Sequence, residues 1–246
     1  MYIAYPLAAC CQLRSRSFGM RLLLFSAGEC MRGSGALVAR TSLYIDGFNL
    51  YYRALKGTRF KWLDIKKMAQ LILATHNQIT CIKYFTARVS GHRNASSPRD
   101  QEAYLAALST LPEVQIIYGR FLAKPIRRPL VNPVPGLPRT VEVLTSEEKG
   151  SDVNLAVHLV HDAWAARFDV AVVVSNDSDL EAPIRIVKDE LGKPVGLLCP
   201  HDGYPSPQLK AAATFVRHIR DTHLRASQFP SPIVHNGRNI VKPSDW

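Results

Sequence analysis

The apolar run "VVV" at residues 172–174 is followed at once by the polar turn Ser-Asn-Asp-Ser-Asp at 175–179. Apolar residues that do not alternate with polar ones predict a strand buried on both faces, as in a parallel sheet covered by helices on each side. Two carboxylates, Asp177 and Asp179, therefore lie where this strand leaves the core. At about 4 Å they would repel each other by roughly 4 kcal/mol at an effective dielectric near 20. Solvent, a basic side chain or a metal ion must offset that repulsion.

Strand patterns alternate with helix patterns along most of the chain. This alternation predicts the α/β class, with a mainly parallel sheet between helices and with function located outside the carboxyl ends of the strands. The predicted strands cover 43–45, 79–89, 114–121, 170–174 and 193–200, and the predicted helices cover 47–57, 64–72, 96–110, 151–168, 179–191 and part of 206–219.

The net charge of +11 and the pI near 9.6 indicate a basic protein. Residues 1–40 contribute +4 of that charge, so +7 belongs to the remainder of the chain. Basic chains favour polyanionic partners, nucleic acid before anionic membrane. No apolar run approaches the roughly 20 residues needed to span a bilayer, and we expect no membrane partner. The five cysteines are odd in number and form no C-x-x-C pair, which argues against a disulfide framework or zinc site and favours the cytoplasm.

Three segments differ in their patterning. Residues 1–40 are predicted to be a disordered leader or the product of a misassigned start codon, with Met31 as the alternative start. Residues 41–222 contain the folded domain, and residues 223–246 are predicted to be a loose tail because they show no periodicity. Whether the chain forms a homo-oligomer, or docks a protein partner through this tail, is open.

A proline-rich segment at 123–140 predicts an irregular surface loop, because closely spaced prolines exclude regular helices and central strands. A stiff basic loop can follow a phosphate backbone at limited ordering cost. Tyr51, Tyr52 and Arg53, after Asp46, could add stacking surface and charge, and the alternative explanation for at least one of the tyrosines is core packing. The predicted phosphate contacts in the loop are Lys124, Arg127, Arg128 and Arg139.

Acidic residues lie at the ends of predicted strands or at the starts of predicted helices. If the first strand lies beside strand 170–174, these carboxylates converge, and a divalent cation would relieve their mutual repulsion. Oxygen ligands favour Mg²⁺ or Mn²⁺ over zinc, and such sites commonly serve phosphate chemistry. Separately, each acid has a simpler explanation: a turn for Asp46, a helix cap for Asp179 and an early-turn carboxylate for Asp152. The metal ligands predicted from this placement are Asp46, Asp152, Asp177 and Asp179.

Three blocks, "YIDGFNLYY", "EEKGSDVNLAV" and "VVVSNDSDLEAPI", resemble in order the signature blocks of the NYN domain family, of the LabA-like kind within the PIN-like nucleases. The resemblance implies a PIN-like three-layer α/β/α sandwich and a Mg²⁺- or Mn²⁺-dependent ribonuclease. It assigns catalytic roles to the four aspartates and to Asn49, and Ser175 and Asn176 match its small or polar residues before the acidic turn, which implies contacts near the RNA. Lys149, close to Asp152 in the chain, is predicted separately to contact a flanking phosphate. The family often carries a second acid where this chain has His158, which departs from the pattern.

These patterns leave several functions open. The first is hydrolysis of RNA, most simply single-stranded RNA. The second is a binding or regulatory protein with a degenerate site, for which His158 is the hint. The third is a different enzyme: some relatives of this pattern are labelled pyridine-ring hydroxylases, and a small-molecule phosphatase fits the same acids. The sequence gives the hydroxylase no support, because it has no G-x-G-x-x-G after a predicted strand to bind a dinucleotide and no evident set of two histidines and one carboxylate to bind iron.

Overall fold

The fold is described from a computed structural model, which covers residues 38–89, 96–133, 136, 138–200 and 204–246. Most of the predicted leader, residues 1–37, lies outside the described residues. The predicted boundary at residue 40 is two residues too far along the chain, because the first strand begins at Ala39, which pairs with Asn77. No helix in the described part of the chain is long and apolar enough to cross a membrane.

Among the described residues there are ten strands and seven α-helices. The strands are β1 (Ala39–Asp46), β2 (Asn77–Thr86), β3 (Val114–Tyr118), β4 (Arg120–Pro129), β5 (Thr140–Lys149), β6 (Val170–Val174), β7 (Val195–Cys199), β8 (Phe215–His218), β9 (Ile233–His235) and β10 (Arg238–Ile240). The helices are α1 (Gly47–Leu50), α2 (Ile65–Ile72), α3 (Ser97–Leu108), α4 (Ser151–Trp164), α5 (Glu181–Arg185), α6 (Pro207–Ala212) and α7 (Asp221–Ala226). Tyr51–Leu55 and Ile186–Glu190 continue α1 and α5 as π-helical turns, and Ser178–Leu180 is a 3₁₀ turn.

Six strands form the main sheet in the order β3-β2-β1-β6-β7-β8, and every adjacent pair is parallel. The chain moves outward from β1 to β3 and then returns to the other side of β1 at β6. The strand order therefore reverses between β1 and β6, which is where ligands bind in open parallel sheets. Asp46 ends β1 at this point, and Ser175 to Asp177 follow β6.

Helices cover both faces, which confirms the predicted α/β/α sandwich. Leu43 and Ile45 of β1 face one core, together with side chains from α2, α3 and α7. Tyr44 and Val173 face the other core, with side chains from α4, α5 and α6. The apolar run at 172–174 is fully buried because its residues alternate between two cores rather than between core and solvent.

Two predicted irregular regions contain regular structure. The proline-rich segment forms an antiparallel ribbon of β4 and β5, because this two-stranded sheet has two free edges that tolerate proline. The predicted strand 114–121 breaks at Gly119, so that β4 leaves the main sheet. In the predicted loose tail, β9 pairs with β10, and Trp246 packs 6.3 Å from Trp62, which ties this segment to the core. The predicted last helix is shorter than expected, and its end forms the edge strand β8.

Candidate functional site

A cavity of about 330 Å³ opens at the carboxyl ends of β1 and β6. Three of the four predicted aspartates reach it from segments far apart in the chain, whereas Asp179 is exposed and is not among the lining residues. The cavity is lined by Asp46, Phe48, Asn49, Tyr52, Arg53, Phe121, Glu148, Ser151, Asp152 and Asp177.

Asp46 is held by hydrogen bonds to both of its carboxylate oxygens. Its Oδ1 accepts from the backbone N–H of Asn49 at 2.9 Å, which caps α1. Its Oδ2 accepts from the hydroxyl of Ser175 at 3.0 Å. Burial raises the pKa of Asp46, the two hydrogen bonds oppose this rise, and the carboxylate of Asp177 adds to it. Asp46 is therefore a fixed, largely desolvated carboxylate rather than an ordinary turn residue.

Asp152 lies in the first turn of α4, which is positioned by its preceding loop. Gly150 has φ of 94°, a left-handed conformation that favours glycine and turns the chain from β5 into the helix. Burial, and then the negative charges of Asp46, Asp177, Glu148 and Asp179, raise the pKa of Asp152 to about 6. The carboxylates that were predicted to meet thus act on one another electrostatically.

Glu148 also lines the cavity and is not among the residues predicted from the sequence. It lies near the end of β5, four residues before Asp152, and its Oε1 accepts from the backbone N–H of Ser151 at 3.1 Å. Gly119 packs against it so closely that a Cβ there would lie 2.5 Å from that oxygen. The acid-rich "SEEKGSD" segment was a signal for Glu148, but the assignment of the preceding segment as an irregular loop hid the strand that places it.

Several predicted polar contacts have other partners. Ser175 is fully buried beneath Asp46, so we correct its assignment as an RNA contact. The side chain of Asn49 accepts from the backbone N–H of Asn176 at 3.0 Å, and Asn176 Oδ1 accepts from Ser206 N at 2.7 Å. These bonds join the loops at the carboxyl ends of β1, β6 and β7. Asn49 still lines the cavity.

The predicted basic contacts are divided between the two faces of the ribbon. Side chains alternate between the faces of a strand, so Arg127 shares a face with Phe121 and Glu148, whereas Lys124, Arg128 and Lys149 lie on the other face. Lys149 pairs with Glu147 at 3.1 Å, and Arg139 is exposed just before β5. Of the predicted basic residues, Arg53 alone lines the cavity itself.

His158, the departure from the family pattern, lies away from the cavity. Its Nδ1 is 3.1 Å from Nζ of Lys83, a buried lysine that forms an ion pair with Asp162. Burial and the charge of Lys83 lower the pKa of His158. An acid at this position would face Lys83, and here Asp162 pairs with that lysine instead.

The cavity offers oxygen ligands, but they are not gathered into a direct chelate. In the residues that the structure describes, no group of three or more His, Cys, Asp or Glu side chains could hold a metal ion as arranged. Mg²⁺ usually retains several waters and uses only one or two carboxylates directly. The all-oxygen donor set has the chemistry that a hydrated Mg²⁺ or Mn²⁺ would use, with Asp46, Asp152 and Asp177 as the residues that would hold it.

Comparisons with known proteins identify the domain. The model of the NYN domain family matches residues 40–220. Over 235 residues the chain is 32% identical to a Pseudomonas putida protein named 6-hydroxy-3-succinoylpyridine 3-monooxygenase HspA, with 84% of this chain and 75% of that protein covered. A crystal structure of a Vibrio parahaemolyticus protein of unknown function, VPA0982, aligns with a TM-score of 0.49 at 15% identity, covering 75% of this chain and 95% of the other.

Proposed function

Because the chain belongs to the NYN domain family, within the PIN-like nuclease superfamily, we propose that it is a divalent-metal-dependent ribonuclease that hydrolyses phosphodiester bonds in this cavity. One observation carries the proposal. Asp46 ends β1, Asp152 lies in the first turn of α4, and Asp177 follows β6. All three line one cavity at the point where the strand order reverses. Carboxylates are the ligands that Mg²⁺ or Mn²⁺ prefers beside a phosphate, and Mg²⁺ needs only one or two of them directly because it retains several waters.

The bound ion would lower the pKa of a water molecule and neutralise charge on the phosphate. Asp46, Asp152 and Asp177 would hold it, in part through water. Ser175 and the N–H of Asn49 fix the orientation of Asp46, so its carboxylate needs little rearrangement when substrate binds. Glu148 would add negative charge, and its Oε1 accepts from the backbone N–H of Ser151 at the start of α4. Asn49 lines the cavity, and its side-chain NH₂ would donate to a phosphate oxygen. Asp179 would act from the rim, on the attacking water.

Single-stranded RNA is the favoured substrate. The cavity is small enough for one nucleotide unit rather than a duplex, at the low end of the range for ligand pockets. Arg127 lies six residues beyond Phe121 on the same ribbon face, about 20 Å along the strand. A strand of RNA leaving the cavity would meet it after a few nucleotides.

The test is cleavage of single-stranded RNA in Mg²⁺, Mn²⁺ or EDTA. We expect products only with metal, and a fall of about 10- to 100-fold or more in Asp177→Asn. Asp189→Asn on the exposed side of the π-helical turn after α5 is the matched control. Equal products from wild type and Asp177→Asn would overturn the proposal. RNA binding without turnover would favour the regulatory alternative.

A second candidate is oxidation of a hydroxypyridine, favoured by the name of the Pseudomonas relative, which aligns with most of this chain. A monooxygenase inserts one atom of O₂ into its substrate and reduces the other to water with two electrons from a reductant. The test is oxygen uptake with 6-hydroxy-3-succinoylpyridine and reduced nicotinamide or flavin. Uptake that depends on both pyridine and protein, with no metal-dependent RNA cleavage, would replace the first proposal.

A further inference from the structure

The cavity contains an aromatic wall that phosphate chemistry does not require. The rings of Phe48 and Phe121 meet edge to face with centroids 5.6 Å apart. Both are half-buried, and neither is among the described side chains that pack against the two cores. Both rings line the cavity, together with the carboxylates of Asp46, Asp152 and Asp177. A small apolar patch of this kind within a polar site is typical of recognition of a ligand's apolar part.

Tyr52 and Arg53 complete this part of the cavity. Tyr52 is 59% exposed, and the ammonium group of Lys56 lies 5.0 Å from the centre of its ring. Arg53 is exposed and has no ion-pair partner in the part of the chain that the structure describes. An unpaired guanidinium beside aromatic rings suits a ligand that combines a flat ring with a phosphate or carboxylate.

We propose that Phe48, Phe121 and Tyr52 form a subsite for a planar heteroaromatic ring, and that Arg53 binds an anionic group elsewhere on the same ligand. The subsite rests on the proposed function only in that it shares the same cavity. Two ligand sources have this chemistry. One is a nucleobase next to the phosphate that is cut, and the other is a free pyridine with a carboxylate side chain, such as the compound in the name of the Pseudomonas relative.

Packing of the ribbon against α1 is the alternative role for the Phe48–Phe121 contact. A leucine at position 121 distinguishes the packing role from the ligand-binding role. Leucine at position 121 retains apolar contact with Phe48 but has no flat π-face. Packing of the ribbon against α1 would persist in Phe121→Leu, whereas stacking with the ring of a ligand would be lost.

The test is equilibrium binding in EDTA, so that no turnover is needed. The probes are uridine 5′-monophosphate, adenosine 5′-monophosphate, 6-hydroxy-3-succinoylpyridine and ribose 5-phosphate, which is an anion without a heteroaromatic ring. We expect wild type to bind at least one ring-bearing probe about fivefold or more tightly than ribose 5-phosphate. Phe121→Leu and Tyr52→Leu should each lower the ratio of the two affinities by about fivefold. Trp164→Ala, at the far end of α4 and 75% exposed, should retain it.

Equal binding of ribose 5-phosphate and of all ring-bearing probes by wild type would overturn the subsite, as would an unchanged preference in both leucine variants. Tyr52 is exposed, so its variant remains informative if Phe121→Leu fails to fold. Preference for nucleotides assigns the subsite to a nucleobase, and preference for the pyridine assigns it to a small molecule. Ring binding without RNA cleavage would leave the subsite standing and remove the ribonuclease; cleavage without ring preference would do the reverse.

Discussion

Ser175 joins the carboxylate of Asp46, at the end of β1, to the backbone of Asp177, in the turn after β6. Its hydroxyl donates to Oδ2 of Asp46 at 3.0 Å and accepts from the backbone N–H of Asp177 at 3.1 Å. A fully buried hydroxyl with both functions used sets the spacing between the end of β1 and the turn after β6. The position of the Asp46 carboxylate is therefore fixed by the packing of β1 beside β6.

Ser175→Ala tests this link. Losing the hydroxyl leaves Asp46 buried with one hydrogen bond fewer, so we expect a loss of about 1–3 kcal/mol in the free energy of unfolding. Mn²⁺ affinity should fall as well, because the carboxylates are no longer fixed. Urea unfolding and calorimetric Mn²⁺ titration measure the two effects. Ser178→Ala, an exposed change three residues away, should alter neither; equal effects at both serines would contradict this role.

Asp152 should make the stability of the metal-free protein depend on pH. Its pKa is raised to about 6 in the fold, against about 3.9 in an unfolded chain. The native state therefore holds the proton more tightly, and stability falls as pH rises from about 4 to about 6. Asp152→Asn cannot ionise, so in EDTA it should unfold at a higher temperature than wild type at pH 7.5.

That advantage should disappear at pH 4, where the native carboxyl group is protonated. Thermal unfolding at both pH values checks the expectation, with Asp189→Asn as a surface control. An advantage of the same size at pH 4 and pH 7.5 would show that burial and neighbouring charge on Asp152 are not its cause.

Gly119 should be intolerant of a side chain. A Cβ would lie 2.5 Å from Glu148 Oε1 and 2.8 Å from the backbone oxygen of Lys149. In Gly119→Ala the start of α4 must shift, at a cost of about 1–3 kcal/mol, and Asp152 must move with it. We expect a lower Tm and weaker Mn²⁺ binding. Native Tm together with native metal affinity would contradict this packing.

The buried ion pair between Lys83 and Asp162 connects β2 to α4. Burial raises the pKa of Asp162, but the hydrogen bonds from Lys83 and Tyr44 outweigh it and hold the pKa below its usual value. Lys83→Met would leave that carboxylate without its closest cation, although Arg167 would still pair with it at 2.9 Å, so we expect a loss of about 1–3 kcal/mol in urea unfolding. Adding Asp162→Leu should restore part of the loss.

A second lysine provides the matched control. Lys66 pairs with Glu113 at 2.7 Å, but both side chains are partly exposed. Lys66→Met should therefore cost no more than about 1 kcal/mol. Similar losses at the two lysines would mean that burial does not set the strength of the Lys83 pair.

The sequence was most informative where pattern and position coincide. The unbroken apolar run at 172–174 predicted a doubly covered strand, and the acids after it could be assigned to the end of the sheet. It was least informative about contacts between distant segments. Phe48 and Phe121 are 73 positions apart and meet only because the ribbon folds back over α1. Ser175 was assigned to the ligand side because a turn sequence does not reveal which way a hydroxyl points.

The two faces of the ribbon give the last prediction. Arg127 lies on the face that includes Phe121 and Glu148, and Arg128 lies on the opposite face, 4.0 Å from Glu147. If RNA runs from the cavity along the first face, Arg127→Gln should weaken binding and reduce the slope of log affinity against log salt by about 0.7. Arg128→Gln removes the same charge and should change the slope little. Anisotropy of labelled single-stranded RNA in EDTA across a salt series measures both. Equal slopes for the two variants would mean that RNA does not distinguish the faces, and a larger effect at Arg128 would place its path on the other side.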